Sequence, residues 1–125
     1  MGKFPKGFLV GAATAAHQVE GNNTNSDCWA QEQMKYSSYV EPSLDAVDHY
    51  NRFEEDIRLL SSLGLRAYRF STSWARIDPN GDGRWNEAGL QYYDRMVDCC
   101  LANGVTPWMT LYHWELPQAL EVGGG

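Results

Sequence analysis

Nowhere in the 125 residues is there an unbroken apolar run long enough to cross a bilayer. The opening stretch, MGKFPKGFLVGAATAA, is apolar but interrupted by glycine, and no charged leader is clearly set ahead of it. It reads as neither a secretory signal nor a membrane span, and a cytoplasmic protein is expected. Positive charge is also scarce: 10 Lys and Arg stand against 16 Asp and Glu, for a net charge of −6. Neutralising a phosphate backbone needs a basic patch, so a nucleic-acid partner is not expected. Cysteine is sparse and odd in number, with Cys28 alone and Cys99 adjacent to Cys100. That arrangement does not suit a disulfide framework, and it lacks the spacing of metal ligands. Asn22-Asn23-Thr24 fits a glycosylation sequon, which carries no meaning without secretion. There is no internal repeat and no low-complexity tract.

What is present describes a packed α/β protein. Apolar residues make up 43% and aromatics 13%, with five Trp and seven Tyr. Such a composition argues against disorder. The length allows one modest domain. Aromatics build cores, but their ring faces also meet the C–H faces of pyranoses, and composition does not separate the two uses.

Along the chain, strand and helix patterns alternate. Phe8 to Ala13 is a short apolar run that predicts a first strand. A polar, turn-rich stretch follows from Gly21 to Leu44, longer than an ordinary connection and therefore a candidate functional loop. Tyr50, Phe53, Ile57 and Leu60 recur at helical spacing with acidic and basic residues between them. Asp45 or Asp48 is placed to cap that helix, and Gly64 stands where a left-handed terminal residue belongs. Leu65 to Trp74 (LRAYRFSTSW) predicts a second strand. After a turn at Asp78 to Gly83, Asn86 caps a helix whose buried stripe is read as Leu90, Tyr93, Val97, Cys100 and Leu101, ending at Gly104. Thr106 to Trp114 (TPWMTLYHW) predicts the third strand, and Pro117 starts another helix as an N1 proline. Strands separated by helices imply right-handed crossovers and a parallel sheet.

Three places carry possible chemistry. In the second strand, Arg69, Ser71 and Ser73 share one face, while Tyr68, Phe70, Thr72 and Trp74 share the other. If that polar face is covered, the Arg69 guanidinium needs an anionic partner nearby. If the sheet is open, Arg69 is simply in solvent; pattern alone leaves both readings standing. His113 and Trp114 close the third strand, at the end where parallel sheets collect their function. A hydrogen-bonding ring beside an indole suits a sugar, though a core His with an aromatic neighbour is the stronger reading from residue type alone. Gln18 follows the first strand; its amide both donates and accepts, so it can bridge adjacent hydroxyls, or it is merely a polar strand end. The run Asp78 to Gly83 copies the first half of a calcium loop, but the twelfth position is Gly89 rather than a bidentate Glu, which favours a plain turn.

These segments also resemble a known family. FPKGFLVGAATAAHQVEGN is similar to the amino-terminal signature of glycoside hydrolase family one. DHYNRFEEDIRLLSSLGLRAYRFSTSWARI and NEAGLQYYDRMVDCCLANGVTPWMTLYHWELPQAL resemble the next family segments, in the family's order. Only the loop from about Asp27 to Leu44 falls outside the likeness. The resemblance implies a (β/α)8 TIM barrel of the α/β class, with the active site at the carboxyl ends of the strands. Residues 1–125 would be the amino-terminal, incomplete part of that single domain, with its first three strands and two to three helices. It implies a retaining β-glucosidase-like hydrolase that needs no cofactor or metal and acts on a β-glycoside or oligosaccharide. Gln18, His113 and Trp114 would bind the sugar, and Arg69 would sit beside the nucleophile carboxylate. Both catalytic glutamates belong to Asn-Glu-Pro and Glu-Asn-Gly segments; neither tripeptide occurs in this chain, and Glu20, Glu115 and Glu121 match no catalytic position. The chain is therefore expected to be inactive alone, marginal in stability and prone to associate through open sheet edges. A non-catalytic sugar-binding or self-assembling remnant is the alternative. An unrelated small α/β domain is a third, and it would be recognised by strands that are not consecutive parallel neighbours.

Overall fold

A computed structural model of the chain describes residues 2–125. Its elements follow in the order β1 (Gly11–Ala13), α1 (Ala16–Val19), α2 (Asp27–Glu32), α3 (His49–Ser62), β2 (Ala67–Ser71), α4 (Trp74–Ile77), α5 (Glu87–Ala102), β3 (Thr106–Thr110) and α6 (Gln118–Val122). The three strands form one parallel sheet in the order β1-β2-β3. Ala13 pairs with Arg69, and Arg69 pairs with Trp108. Consecutive parallel neighbours are what the alternating pattern predicts, and they set aside the unrelated-domain reading.

The helices α3 and α5 cover one face of the sheet. Phe53 and Ile57 of α3 meet Tyr68 and Phe70 of β2, and Tyr92, Tyr93, Met96 and Cys100 of α5 complete the core with Val105. The stripe on α5 is thus Gly89, Tyr92, Tyr93, Met96 and Cys100. Leu101 is exposed, while Leu90 and Val97 are only half-buried. The expected stripe was rotated because it gave Leu90 and Leu101 places that Gly89, Tyr92 and Met96 occupy. Gly89 is required there: a Cβ would lie 2.6 Å from the Arg76 carbonyl oxygen, so α5 approaches α4 backbone to backbone.

Both long helices end as their glycines predict. Gly64 and Gly104 have positive φ, and the bonds Leu65 N–H to Leu60 O and Val105 N–H to Cys100 O close the final turns. The starts differ from expectation. Asp48 and Asn86 occupy the N-cap positions, but neither side chain caps a helix N–H. Asp48 accepts from the Asn51 amide instead, and Asn86 donates to the Arg76 carbonyl.

The strands are shorter than the apolar runs. In β1, only Gly11 to Ala13 pairs, and a Cβ at Gly11 would lie 2.3 Å from the Ala67 carbonyl oxygen. At the end of β2, the Ser73 N–H donates to the Tyr93 hydroxyl at 2.6 Å rather than to a strand, and the chain turns into α4. Beyond β3, the Thr72 hydroxyl takes up the Leu111 carbonyl. The long polar stretch is not all loop. Ser26 accepts from the Trp29 N–H and starts α2 within it. Pro117 sits one residue earlier than expected, at the N-cap of α6.

The other face of the sheet is bare. Arg69 is exposed, its Nε donating to Thr110 Oγ1 at 3.2 Å, and Trp108 is 58% exposed. Among the described residues no carboxylate pairs with Arg69, so in this chain the open-sheet reading holds.

Candidate functional site

The carboxyl ends of the strands gather the sequence's polar residues. After β1, the Ala16 N–H donates to the buried Ser71 hydroxyl at 2.8 Å, which folds α1 over the end of β2. That single turn points Gln18 outward, where it is exposed, and leaves His17 half-buried. His17 Nε2 lies 2.6 Å from Glu32 Oε1. Glu32 also accepts from the Ser43 N–H and hydroxyl. Burial pushes the Glu32 carboxyl up, but those donors together with His17 outweigh it and hold the group below the usual carboxylate range. α2 and the loop behind it are tied to α1 in this way.

After β3 the chain reaches His113 and Trp114, whose rings stack at 5.7 Å and 15°. Trp114 is 79% exposed and has φ of +71°, the left-handed region that bulky residues avoid. Such a conformation costs about 1–3 kcal/mol and persists only where neighbours impose it. Here they do. The Leu116 N–H donates to Asp27 Oδ1 at 2.7 Å, the Asp27 N–H donates to Leu116 O, and the Gln118 N–H donates to Asn25 O.

These two loops enclose a cavity of about 150 Å³, lined by His17, Gln18, Cys28, Tyr39, His113 and Trp114. Three of the four sequence-derived site residues therefore meet: Gln18, His113 and Trp114. The fourth, Arg69, does not line this cavity; it stands on the bare sheet face. Cys28 faces the cavity as a thiol, because burial pushes it up to about 11, and it is no ready nucleophile. Among the described residues, no group of three or more His, Cys, Asp or Glu is placed to hold a metal ion. The Asp78 carboxylate accepts from the Asp82 and Gly83 N–H groups and closes its own turn.

Two buried polar clusters at the strand ends have partners that sequence reasoning did not supply. Glu20 is buried, and its Oε2 accepts from Arg76 Nε at 3.1 Å while Oε1 accepts from the Tyr93 hydroxyl at 2.5 Å. Arg76 also lies over the Tyr50 ring at 4.1 Å. The buried guanidinium with its carboxylate is thus Arg76 with Glu20, not Arg69. Period-two reading of the strand stopped at Trp74, and nothing local marks Arg76. Burial pushes Glu20 up, opposed chiefly by Arg76.

The second cluster centres on Glu115, also buried. Its Oε2 accepts from the Asn23 amide and from the Ser73 hydroxyl at 3.5 Å. Burial, and then Glu20, push its carboxyl up to about 7. The sequence already sets Glu20 and Glu115 near strand ends; their burial and their partners come from segments distant in the chain.

Comparison with known proteins follows this geometry. The family model for glycosyl hydrolase family 1 matches residues 1–125. Thermostable beta-glucosidase B of Thermobispora bispora is 49% identical, covering 98% of this chain and 27% of that protein. Beta-glucosidase 6 of Oryza sativa subsp. japonica is 47% identical, covering 96% and 24%. The beta-glucosidase from Thermotoga maritima solved in complex with cyclophellitol superposes with a TM-score of 0.87 at 45% identity, covering 98% of this chain and 30% of that one. The chain spans about a quarter of the length of these curated relatives. The solved neighbours are TIM barrels, and the three parallel strands with their helices are a partial (β/α)8 barrel.

Proposed function

The chain belongs to glycosyl hydrolase family 1, and from that premise we propose that it is the amino-terminal part of a retaining β-glucosidase, supplying one wall of the sugar subsite. The observation that carries this reading is the meeting of Gln18 with His113 and Trp114 in one cavity. Gln18 lies far from the His113-Trp114 pair in sequence, and the two parts follow the carboxyl ends of different strands, β1 and β3. The stacked pair of half-buried His113 and exposed Trp114 offers a flat apolar platform with a ring nitrogen at its edge. Gln18 lines the same cavity, and its amide offers a donor and an acceptor, which suits adjacent hydroxyls of a pyranose.

On this reading, the two carboxylates that carry out the chemistry lie outside these 125 residues. They would stand about 5 Å apart, one as nucleophile and one as acid/base. Arg69, exposed on the bare sheet face, is then free to pair with the nucleophile and hold it ionised. A cytoplasmic location belongs to the same proposal, supported by an odd cysteine count with two adjacent thiols. So does association of the isolated chain through its outer strands and bare face, where Trp108 and Leu111 are exposed.

The test is complementation. The chain is combined with a polypeptide carrying the remaining strands, and hydrolysis of an aryl β-glucoside is followed with the anomer identified. Activity with retention is expected, falling at least tenfold with Gln18→Ala or His113→Ala. A complemented enzyme indifferent to both substitutions would sink the assignment of the subsite. Specific β-glucoside binding by the chain alone, with no activity on complementation, would favour a binding remnant instead.

A further inference from the structure

Glu115 stands where the ends of all three strands come together. Its Oε2 accepts from Asn23, in the segment after β1 and α1, and from Ser73, directly after β2, while Glu115 itself follows β3. Ser73 also approaches Asn23 Oδ1 at 3.2 Å. The residue is 1% exposed, and among the described residues its Oε1 has no hydrogen-bond partner. His113 and Trp114 immediately precede it. The same segment is clamped to residues 23–27 by the Asp27–Leu116 pair of bonds, the Gln118 N–H to Asn25 O bond and the Ser26–Pro117 bridge.

We propose that Glu115 is a positioning residue for His113 and Trp114, holding both through this junction of strand ends, and that the junction reorganises when the carboxyl gives up its proton. A neutral carboxyl tolerates a buried oxygen without a donor; a carboxylate there does not. The charged groups around it deepen that cost. Glu20 faces it from the end of α1 and Asp27 from the start of α2, both acidic. Arg76 of α4 is a cation that opposes this, and Arg76 is bonded to Glu20. Tyr93 of α5 is occupied by Glu20 and Ser73. On the cavity side, Cys28 is a thiol, and His17 reaches the junction only through Asn23, at 3.3 Å, with Glu32 on its other nitrogen.

Ionisation therefore demands water or a new donor at Oε1, and the segment able to admit one is 113–118. Trp114, already in a disfavoured backbone conformation, lies near the start of that segment, four residues beyond the end of β3. Its shift moves the stacked rings relative to Gln18. The burial that pushes Glu115 up to about 7 places this change near neutrality. The consequence for sugar affinity rests on the proposed subsite; the consequence for ring position does not.

The experiment uses the 125-residue chain labelled for NMR and titrated from pH 5 to 9. The Glu115 carboxyl and the Trp114 indole N–H should report a shared midpoint near 7. Glu115→Gln, neutral at every pH, should hold the Trp114 indole at its low-pH position throughout. Asn23→Ala, which removes the amide donor but leaves the carboxyl, should raise the shared midpoint by about one unit. A Trp114 signal without a step near 7, or the same step in Glu115→Gln, overturns the proposal. Methyl β-glucoside added at pH 6 and pH 8 to the chain combined with a polypeptide carrying the remaining strands separates the two readings. Coupled titration without sugar binding at either pH removes the subsite assignment and leaves the coupling. Binding that is equal at both, with no coupled step, removes the coupling and leaves the subsite.

Discussion

Glu20 and Glu115 are both 1% exposed at the carboxyl end of the sheet, yet the regions around them solve burial differently. Around Glu20, every carboxylate oxygen has a strong donor: Arg76 on one, the Tyr93 hydroxyl on the other. Those donors come from α4 and α5, under the helical layer, and Tyr50 of α3 covers the guanidinium. Around Glu115, the donors are an amide and a hydroxyl, both on the same oxygen, and the other oxygen has none among the described residues. The difference is one of task. The Glu20 cluster joins α1, α4 and α5 into one body, whereas the Glu115 cluster lies beneath a loop that carries exposed rings. A buried acid with an ion-pair partner is a structural bond; one without a cation of its own is a latent charge.

The largest expected effect tests the first half of that contrast. Glu20→Ala strands the Arg76 guanidinium without an anion and should lower stability by about 3–5 kcal/mol in urea unfolding. An equal loss in Glu115→Ala would break the comparison. Next in size is the pH dependence of Glu115. Its folded value of about 7 lies above the ordinary 4.5, so the folded chain holds this proton more tightly than the unfolded chain. The stabilisation is whole below pH 4.5, falls as pH rises, and is gone above about 7, a span of about 3 kcal/mol. Glu115→Gln should remove that decline from the urea midpoint measured across the same window; an unchanged slope would assign it to other groups.

Smaller effects separate the neighbouring tyrosines. Tyr93→Phe deletes bonds to both Glu20 and the Ser73 N–H and should cost about 2 kcal/mol. The Tyr92 hydroxyl is buried without a partner among the described residues, so Tyr92→Phe should stay within about 0.5 kcal/mol or gain stability. Smallest is Arg69→Ala in this chain, within about 0.5 kcal/mol, because the side chain is exposed and, among the described residues, bonds to Thr110 alone. A large loss there would mean that the bare face is covered in solution.

How much of this was legible depended on the range of the signal. Helices α3 and α5 announced themselves, since apolar residues at helical spacing and terminal glycines are local features. The parallel order of the strands followed from their alternation with helices. The stripe on α5 was misplaced by a fraction of a turn, because Gly89 at the α4 contact looks like no core residue in a sequence. The helix α2 was hidden in a polar stretch that one serine cap was enough to start. Gln18, His113 and Trp114 were nominated by their places after strands and by resemblance, and the fold brought them to one cavity. Arg69 was nominated by a burial argument and by resemblance; in this chain it is exposed, and the buried, paired guanidinium is Arg76.

The amino-acid order by itself determined the alternation of elements, the ends of the long helices, the parallel sheet and membership of a family, because each is written in spacing and in runs of neighbouring residues. Only the tertiary structure decided which arginine is paired, which glutamate is left without a cation, and which face of the sheet is bare. Those outcomes depend on which distant groups share a low-dielectric interior, and no local pattern records that. The ion pair between Glu20 and Arg76 exists because α1 and α4 fold over the same strand ends.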